Sequence, residues 1–470
     1  MRAIGFVVPA AGVAACTLVN SFGEVRQAPP ADASTDTTGM METGPMDTGS
    51  HDAESGASET STMNDAGDAS FPDIGVIVIS GRVSDDAGNL QGVLTAIDPT
   101  HGAELPNARE MLNVPVVLYD GVRDIWYIIE TNGQSLFPTP SDMAILHAET
   151  LDPVSGTWTD LGQLRIPPPV FGLAGVQTNR LVYIGFDNQV DSASGTSFVT
   201  LDTTDPTNLS IYASTGLDIQ PQGIIATRSQ TGNGGPVNML ESVPCPDDGG
   251  TGDAGDAGSG GIGGGYCLQI QHVTVPTNPD PATLGFTVPL GPFFGRPAYG
   301  AYLGAPGAGS PQDFIAWSLP VPGNPGSPGA TSINAYAPLN FAAVGSPISF
   351  QTSDGFFQPF AFSECYQQLL LTATNEDLSV YAIPLSSATG KLASQMTTHS
   401  GQSLYYEPYT STVLSPFTQG DGYVLDAYTL GGSASMPSLT HRTAPDWNPP
   451  ADVRPEVLGI RKPLPITCPP

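Results

Sequence analysis

Three apolar runs follow one another between residues 116 and 147, and they read Val116-Val117-Leu118-Tyr119, Ile125-Trp126-Tyr127-Ile128-Ile129 and Met143-Ala144-Ile145-Leu146-His147. A fourth run ends near Trp158, and turn-forming residues separate the four runs. Short runs that are rich in β-branched and aromatic residues and bounded by turn residues predict β-strands. Residues 116–158 therefore predict a meander of four antiparallel strands.

Similar units recur along the chain from Ile74 onwards. Counting the unit above, we identify seven units, which begin near residues 76, 116, 172, 223, 299, 360 and 412. One four-stranded sheet cannot bury both of its apolar faces alone, whereas sheets packed in a ring bury each face against a neighbour. The sequence therefore predicts an all-β fold, a seven-bladed β-propeller of four-stranded antiparallel blades. A pair of β-sandwich domains and a right-handed β-solenoid are the alternatives.

A ring of blades requires the two ends of the chain to meet. Either the segment after Asp73 or the tail at residues 453–460 is expected to complete a shared blade. A ring closed in this way leaves only short strand edges exposed to solvent.

One segment carries a resemblance to a known family. Residues 375–383 lead to a Val380-Tyr381 pair, and Thr389-Gly390 then forms an expected hairpin. This arrangement resembles a blade of the YVTN/lactonase-like seven-bladed propellers, and residues 143–161 repeat it more loosely. The resemblance implies the propeller architecture. By analogy of fold it also implies an alternative function, that of a lactonase-like or sugar-acting hydrolase or isomerase.

The N-terminus predicts export. Arg2 precedes an apolar stretch that is too short to span a bilayer, and small residues lead into Cys16. The run Val13-Ala14-Ala15-Cys16 resembles the lipobox of bacterial lipoproteins, in which the chain is cut before the cysteine and the cysteine is acylated. The resemblance implies a lipid-anchored envelope protein, and Thr17 favours the outer membrane. An ordinary signal peptide that contains a cysteine is the alternative.

We divide the chain into three parts. Residues 1–15 are the expected signal peptide, residues 16–73 a lipid-anchored acidic tether, and residues 74–470 the propeller domain. The stretch from Ala28 to Asp73 has ten acidic residues and neither Lys nor Arg, a composition typical of disorder. A Gly/Asp-rich insertion at residues 246–266 is expected to be a second disordered segment.

The charge excludes one class of function. The formal net charge is −31, with 14 Lys and Arg against 45 Asp and Glu. Such a chain is repelled by phosphate backbones, so nucleic-acid binding is not expected. The expected partners are the membrane, through the N-terminal lipid, and an unknown protein or glycan on one face of the propeller. The chain is expected to be a monomer.

Five cysteines are present, and a lipid on Cys16 leaves four. An even number in an exported protein allows two disulfides, with three possible connectivities. We favour Cys245–Cys267 and Cys365–Cys468, and four free buried thiols are the alternative. A zinc site is disfavoured because no pair of cysteines has close ligand spacing.

No catalytic motif stands out in the sequence. The chain has no G-x-S-x-G nucleophile elbow and no H-E-x-x-H motif. The histidines His147, His272 and His441 fall on expected strands, where packing is their favoured role. Candidate exposed aromatic residues lie in loops between units, and they are Phe293, Phe294, Phe356, Phe357, Tyr405, Tyr406 and Tyr409. We assign no cofactor, metal ligand or catalytic residue.

These observations favour a lipid-anchored cell-envelope protein whose propeller is a non-catalytic binding or scaffolding module. The enzyme alternative would be favoured by titratable side chains that converge at one end of the ring, and the binding module by a sparsely polar face.

Overall fold

The computed structural model describes residues between Gly75 and Pro463, with gaps in most of the connections between strands. Residues 1–74 and 464–470 lie outside the described part of the chain. The regular elements within it are 29 β-strands. In the described residues, no helix has the length and apolarity needed to cross a membrane.

The strands follow one another in sets of four. The first four are β1 (Ile77–Ser84), β2 (Leu90–Asp98), β3 (Ala103–Glu104) and β4 (Glu110–Leu112). Sheet II contains β5 (Val116–Asp120), β6 (Ile125–Thr131), β7 (Ala144–Leu151) and β8 (Trp158–Ile166). Sheet III contains β9 (Ala174–Gln177), β10 (Arg180–Phe186), β11 (Thr196–Asp202) and β12 (Ser210–Leu217). Sheet IV contains β13 (Gln220–Ala226), β14 (Val237–Pro244), β15 (Tyr266–Thr274) and β16 (Thr283–Pro292).

The second half of the chain repeats this order. Sheet V contains β17 (Tyr299–Leu303), β18 (Phe314–Pro320), β19 (Ala330–Tyr336) and β20 (Ile348–Gln351). Sheet VI contains β21 (Ala361–Ser363), β22 (Gln368–Ala373), β23 (Ser379–Pro384) and β24 (Ser394–Thr397). Sheet VII contains β25 (Tyr405–Glu407), β26 (Thr412–Gln419), β27 (Gly422–Ser433) and β28 (Met436–His441). The last strand is β29 (Glu456–Ile460).

The seven sheets of the described residues form a closed circle. Sheet I has the order β29-β1-β2-β3, with β4 paired to β2, so the last strand of the chain is added to the first sheet. The strands β29, β5, β9, β13, β17, β21 and β25 contact one another in this order, and β25 contacts β29 again. Such a circle of antiparallel sheets is a β-propeller. The predicted all-β propeller is confirmed, and the sandwich and solenoid alternatives are wrong.

In the part of the ring whose side chains are described, the sheets bury their faces against their neighbours. Tyr127 and Leu146 of sheet II pack with Tyr183 and Val199 of sheet III in one apolar cluster. A second cluster joins sheets III and IV, and a third joins sheets I and II. Successive side chains of a strand point to opposite faces of its sheet, so those of an inner strand alternate between the two neighbouring sheets. This packing explains the alternation along the sequence.

The ring has two faces that differ in their connections. Because each sheet has four antiparallel strands, the innermost strands all begin at one edge of the ring and end at the other. We call these edges the upper face and the lower face. The lower face contains the turns at residues 99–102, 121–124, 152–157 and 408–411, and the upper face contains the paired ends of β14 and β15, where Pro244 opposes Tyr266.

A repeated turn shapes the lower face. Asp98 ends β2 and Asp152 directly follows β7, which are the third strands of their sheets. Their side chains accept hydrogen bonds from the backbone N–H groups of Thr100, at 2.7 Å, and Val154, at 2.9 Å. Four residues after each aspartate, a glycine adopts a positive φ, 65° at Gly102 and 72° at Gly156. An aspartate that caps its own turn, followed by a glycine in the left-handed region, explains the tight hairpins.

The C-terminal tail closes the ring. β29 pairs with β1 in a register that places Ile460 opposite Ile77, so the tail at residues 453–460 is the segment that completes the shared sheet. Arg461, 1% exposed, then donates from Nε to Asp124 Oδ1 of sheet II at 2.9 Å. Two residues later, the carbonyl of Pro463 accepts a hydrogen bond of 2.7 Å from the Tyr409 hydroxyl of sheet VII. The tail thus connects sheets I, II and VII.

A substitution of Gly459 on β29 can test how tightly this strand packs against sheet II. A Cβ at this position would lie 2.8 Å from Cζ3 of the Trp126 side chain, closer than side chains tolerate. Gly459→Ala is therefore expected to lower the free energy of unfolding by about 1–3 kcal/mol, since overpacking forces the ring to shift. Chemical denaturation followed by tryptophan fluorescence measures the change.

Gly175 on β9 provides the matched control for this variant. It also lies on an innermost strand, and its added Cβ would make an ordinary 3.5 Å contact with Leu118. Gly175→Ala removes the same backbone freedom without the clash, so its stability should stay close to that of the native chain. Equal losses in the two variants would contradict close packing at Gly459.

Candidate active site

A carboxyl group lies within the interface of sheets III and IV. Val237, Met239 and Glu241 alternate along β14 and therefore share one face of sheet IV. The first two belong to the apolar cluster that also contains Ile184 and Phe198 of sheet III. Glu241 opposes Pro221, near the beginning of the innermost strand β13, so it lies towards the upper face. The local alternation thus places the carboxyl at the upper end of an apolar interface, one strand away from the innermost one.

The carboxyl of Glu241 is only half paired. The residue is 1% exposed, and its Oε2 accepts a hydrogen bond of 2.8 Å from the side-chain amide of Gln269 on β15. Its other oxygen, Oε1, has no hydrogen-bond partner among the described residues. Burial raises the pKa of the Glu241 carboxyl, and the hydrogen bond from Gln269 offsets only part of this shift. A carboxyl in such a site can both take up and release a proton, as general acid–base chemistry requires.

A hydroxyl group lies at the same end of the facing sheet. Thr196 begins β11, alternates with Phe198 and opposes Leu217, which is another member of the same cluster. Thr196 is buried, and its Oγ1 has no hydrogen-bond partner in the described part of the chain. Buried polar atoms in native proteins are usually satisfied by protein or by water. Two buried oxygens without a partner among the described residues thus lie towards the upper end of one interface.

A second titratable cluster lies in the middle of sheet II. The His147 ring on β7 has Glu130 Oε2 at 3.3 Å from Nε2 and Glu149 Oε1 at 3.8 Å from Nδ1. Burial alone would lower the pKa of His147, but the carboxylates of Glu130, Glu149 and Asp160 outweigh it and hold the pKa above the usual value. His147 lies mid-strand on the third strand of its sheet, so we interpret this cluster as a buried ion pair.

The described arginines of the lower face are engaged in holding the sheets together. Arg123 binds Asp120 at 2.8 Å and also reaches the backbone carbonyl of Thr203 in sheet III. Arg442 of sheet VII donates to the carbonyls of Pro99 and Thr100 in sheet I, each at 2.6 Å. With their donors committed to the fold, these guanidinium groups serve structure at the lower face.

The cysteines predicted from the sequence are only partly described. Cys267 lies on β15 and opposes Val243 near the upper face, and its side chain is outside the described set. Cys365 follows β21, is half-buried and is disulfide-bonded, and its partner is not among the described side chains. Cys16, Cys245 and Cys468 lie outside the described residues. The lipid site and both pairings therefore stay predictions.

The predicted recognition aromatics do not form a described ligand surface. Tyr406 is buried in the cluster of sheets VI and VII, and Tyr405 and Tyr409 are half-buried. The Tyr409 hydroxyl binds the C-terminal tail, as described above. Phe293, Phe294, Phe356 and Phe357 lie outside the described residues. Of the histidines, His147 is buried, His272 is half-buried and His441 is exposed.

Sequence reasoning missed Glu241 and Thr196. Glu241 directly follows Val237-Asn238-Met239-Leu240 in the fourth unit. The sequence does contain one indication, because Glu241 occupies every second position after Val237 and Met239, on a strand whose neighbours are apolar. Residues at such positions share one face of a strand. Among the described residues, no group of three or more His, Cys, Asp or Glu side chains has metal-binding geometry.

Comparison with known proteins identifies the fold by structure alone. No protein-family model matches the chain, and no curated protein matches it in sequence. The periplasmic gluconolactonase of Pseudomonas aeruginosa is similar in structure, with a TM-score of 0.51, 12% identity, and coverage of 82% of this chain and 100% of that one. Proposed 6-phosphogluconolactonases from Bacteroides fragilis and Bacteroides uniformis each have a TM-score of 0.49, with 11% and 12% identity. They cover 82% and 83% of this chain and 97% and 99% of their own chains.

This comparison corrects one prediction. The sequence favoured a non-catalytic binding or scaffolding module, and that prediction is wrong, because the chain that shares this fold over its full length is named as an enzyme. At 12% identity the likeness shows the fold alone. The lactonase-like alternative from the sequence fits this neighbour better than a scaffold does.

The raised pKa of Glu241 predicts a pH-dependent stability. Because the folded-state pKa lies above the unfolded value of 4.5, the contribution of Glu241 is full below about pH 4.5 and is lost as the pH rises through the folded-state pKa. Glu241→Gln cannot ionise and escapes this loss. The variant should match the native chain at pH 4 and be the more stable of the two at pH 8, in denaturant titrations at both pH values. A native chain that is the more stable at pH 8 would contradict the burial of an ionising carboxyl.

Proposed function

We propose that this protein is a lactone hydrolase that acts on a sugar lactone, with Glu241 as its general acid–base. The observation that carries the proposal is the buried, half-paired carboxyl at the upper end of the III/IV interface. The fold likeness to a gluconolactonase supports the choice of reaction. The fold likeness supports the substrate class, and the contacts of Glu241 support the chemistry.

The reaction requires one group that moves a proton twice. A water molecule attacks the lactone carbonyl carbon, and its proton passes to the carboxylate of Glu241. The ring C–O bond then breaks, and the ring oxygen takes the proton from the Glu241 carboxyl. The products are a hydroxyl and a carboxylic acid, so the enzyme returns to its initial state. A carboxyl with a raised pKa suits both steps, because its proton affinity lies nearer to the working pH than that of an exposed glutamate.

The polar neighbours of Glu241 have complementary roles in this proposal. The amide of Gln269 orients the carboxyl through Oε2 and leaves Oε1 for water or substrate. Thr196, at the same end of the facing sheet, offers a hydroxyl that can donate to a water molecule or accept from it. The apolar side chains below them exclude bulk water, which strengthens such hydrogen bonds.

We further propose that the enzyme is exported and held in the envelope by lipid on Cys16, with the outer membrane as the favoured location. The lipobox-like run supports the anchor, and the similar gluconolactonase is named as periplasmic. Gly75, the first described residue, lies against the Glu407 side chain near the turn at residues 408–411, so the chain enters the ring at the lower face. The first described residue and the Glu241 site therefore lie on opposite faces.

Replacement of the proposed acid–base group should abolish most of the activity. Glu241→Gln keeps the size of the side chain and removes its proton transfer, so we expect kcat on D-glucono-1,5-lactone to fall about 10²–10⁴-fold. Proton release in weak buffer measures the reaction after subtraction of spontaneous hydrolysis.

Glu149→Gln is the matched control for this assay, because Glu149 is another buried glutamate on a central strand but lies in sheet II. It should retain native activity. A native protein that does not exceed the spontaneous rate would refute the lactonase proposal, and an active Glu241→Gln variant would refute the role of Glu241.

The anchor is tested separately from the chemistry. Cys16→Ala removes the acylated thiol, so the protein should move from the membrane fraction to the soluble fraction, since lipid chains supply about 0.8 kcal/mol per buried methylene. Immunoblots of fractionated cells measure the distribution, and Cys267→Ala serves as a cysteine control that should stay with the membranes. The anchor proposal fails if the Cys16→Ala protein fractionates like the native one.

A further inference from the structure

Cys365 lies at the lower face, beside the turn at residues 408–411 of sheet VII. It follows β21, the innermost strand of sheet VI, in the turn that precedes β22. Its sulfur is 3.9 Å from the carbonyl oxygen of Pro408, which belongs to the equivalent turn of sheet VII. Cys365 packs against the apolar cluster that contains Leu370 and Tyr406, and it is disulfide-bonded. The identity of its partner follows from the topology of the ring.

Two of the other cysteines are badly placed for this bond. Cys267 lies near the beginning of β15, where it opposes Val243 at the upper face of sheet IV. Cys245 directly follows Pro244 in sequence, and Pro244 ends β14 at the same face. Sheet V stands between sheets IV and VI in the circle of innermost strands. A disulfide needs its two Cα atoms within about 4.4–6.8 Å, which opposite faces of sheets that are not neighbours do not allow.

The remaining cysteine after residue 74 is Cys468, and the described part of the tail ends near the turn that Cys365 contacts. Tyr409 directly follows Pro408, and its hydroxyl holds the carbonyl of Pro463 at 2.7 Å. Cys468 comes five residues after Pro463, a length of chain that spans up to about 17 Å. Cys365 and Pro463 thus contact neighbouring residues of the same turn of sheet VII, and the chain from Pro463 to Cys468 is long enough to bridge the remaining distance.

We propose that Cys365 and Cys468 form a disulfide that locks the propeller ring shut. The tail already completes sheet I through β29, binds Asp124 of sheet II through Arg461 and binds sheet VII through Pro463. The disulfide adds sheet VI and makes the closure covalent. The bond forms by exchange with a disulfide oxidant of the exporting compartment, which accepts two electrons and leaves as a dithiol while both cysteines lose their protons.

If Cys365 and Cys468 form this disulfide, replacing either cysteine should lower the Tm by the same amount. The loop between Cys365 and Cys468 has about 100 residues, so removal of the bond should lower the Tm by about 5 °C. Cys365→Ala, Cys468→Ala and the double variant should lose the same amount, because each breaks the same bond. A reductant should lower the Tm of the native protein by that amount and leave the Cys468→Ala protein unchanged, in melts followed by tryptophan fluorescence.

Peptide mapping of the alkylated, unreduced full chain decides the connectivity directly. The expected result is one peptide pair that contains Cys365 and Cys468. A pair that joins Cys365 to Cys16, Cys245 or Cys267 would overturn the proposal, as would free Cys468 or additive Tm losses in the double variant. Cys267→Ala is the control, because it should leave the Cys365–Cys468 peptide pair intact. Cys468→Ala keeps the test informative if Cys365→Ala fails to fold, since Cys468 lies outside the sheets described here.

Discussion

Ring closure is the constraint on which the whole structure depends. A sheet of a propeller has two apolar faces to bury, and the end sheets can bury both only if the first sheet meets the last. The chain achieves it by adding β29 to β1, so that residues about 380 positions apart in sequence become hydrogen-bonded neighbours. The ion pair of the buried Arg461 with the half-buried Asp124 then fixes the tail against sheet II. A lost partner would leave an uncompensated buried charge, so the pair opposes any opening of the ring at this point.

The described polar groups at the two faces of the ring differ in how they are paired. At the lower face, self-capping aspartates shape the turns, and Arg123 and Arg442 cross from one sheet to the next. The few cations of this acidic chain that are described there are thus engaged in the scaffold. At the upper end of the III/IV interface, Glu241 and Thr196 instead retain unpaired oxygens among the described residues. The contrast is physical, because a satisfied polar group stabilises the fold whereas an unsatisfied one keeps its capacity to bind water or a ligand.

The fold could be predicted from the sequence because its signals are local. Apolar runs and turn residues mark each strand, and the seven units coincide with the seven sheets of the described residues. The sequence left open whether the tail or the N-terminal segment closes the ring, and the structure was needed to decide. Two strands that pair over such a distance share no local sequence pattern that would reveal the pairing. The site could not be predicted for the same reason. Glu241 has the right phase in the sequence, but its burial and missing partner depend on sheet III. For Tyr406 the prediction was wrong in the other direction. The residue was expected to be exposed in a loop, but it lies on β25 and is buried, directly before Glu407, whose carboxylate organises the turn.

A comparison of two buried glutamates supports the proposed role of Glu241. Glu407 is fully buried, and its carboxylate accepts hydrogen bonds from the backbone N–H of Tyr409 at 2.8 Å and that of Thr410 at 2.9 Å, so both oxygens serve the turn. Glu241 is buried to nearly the same degree, yet among the described residues only Gln269 binds it, and it continues a row of apolar side chains that a methionine or valine would complete. Burying a half-paired carboxyl there costs stability relative to an apolar residue. The fold does not need a carboxyl at this position, whereas a reaction that moves protons does.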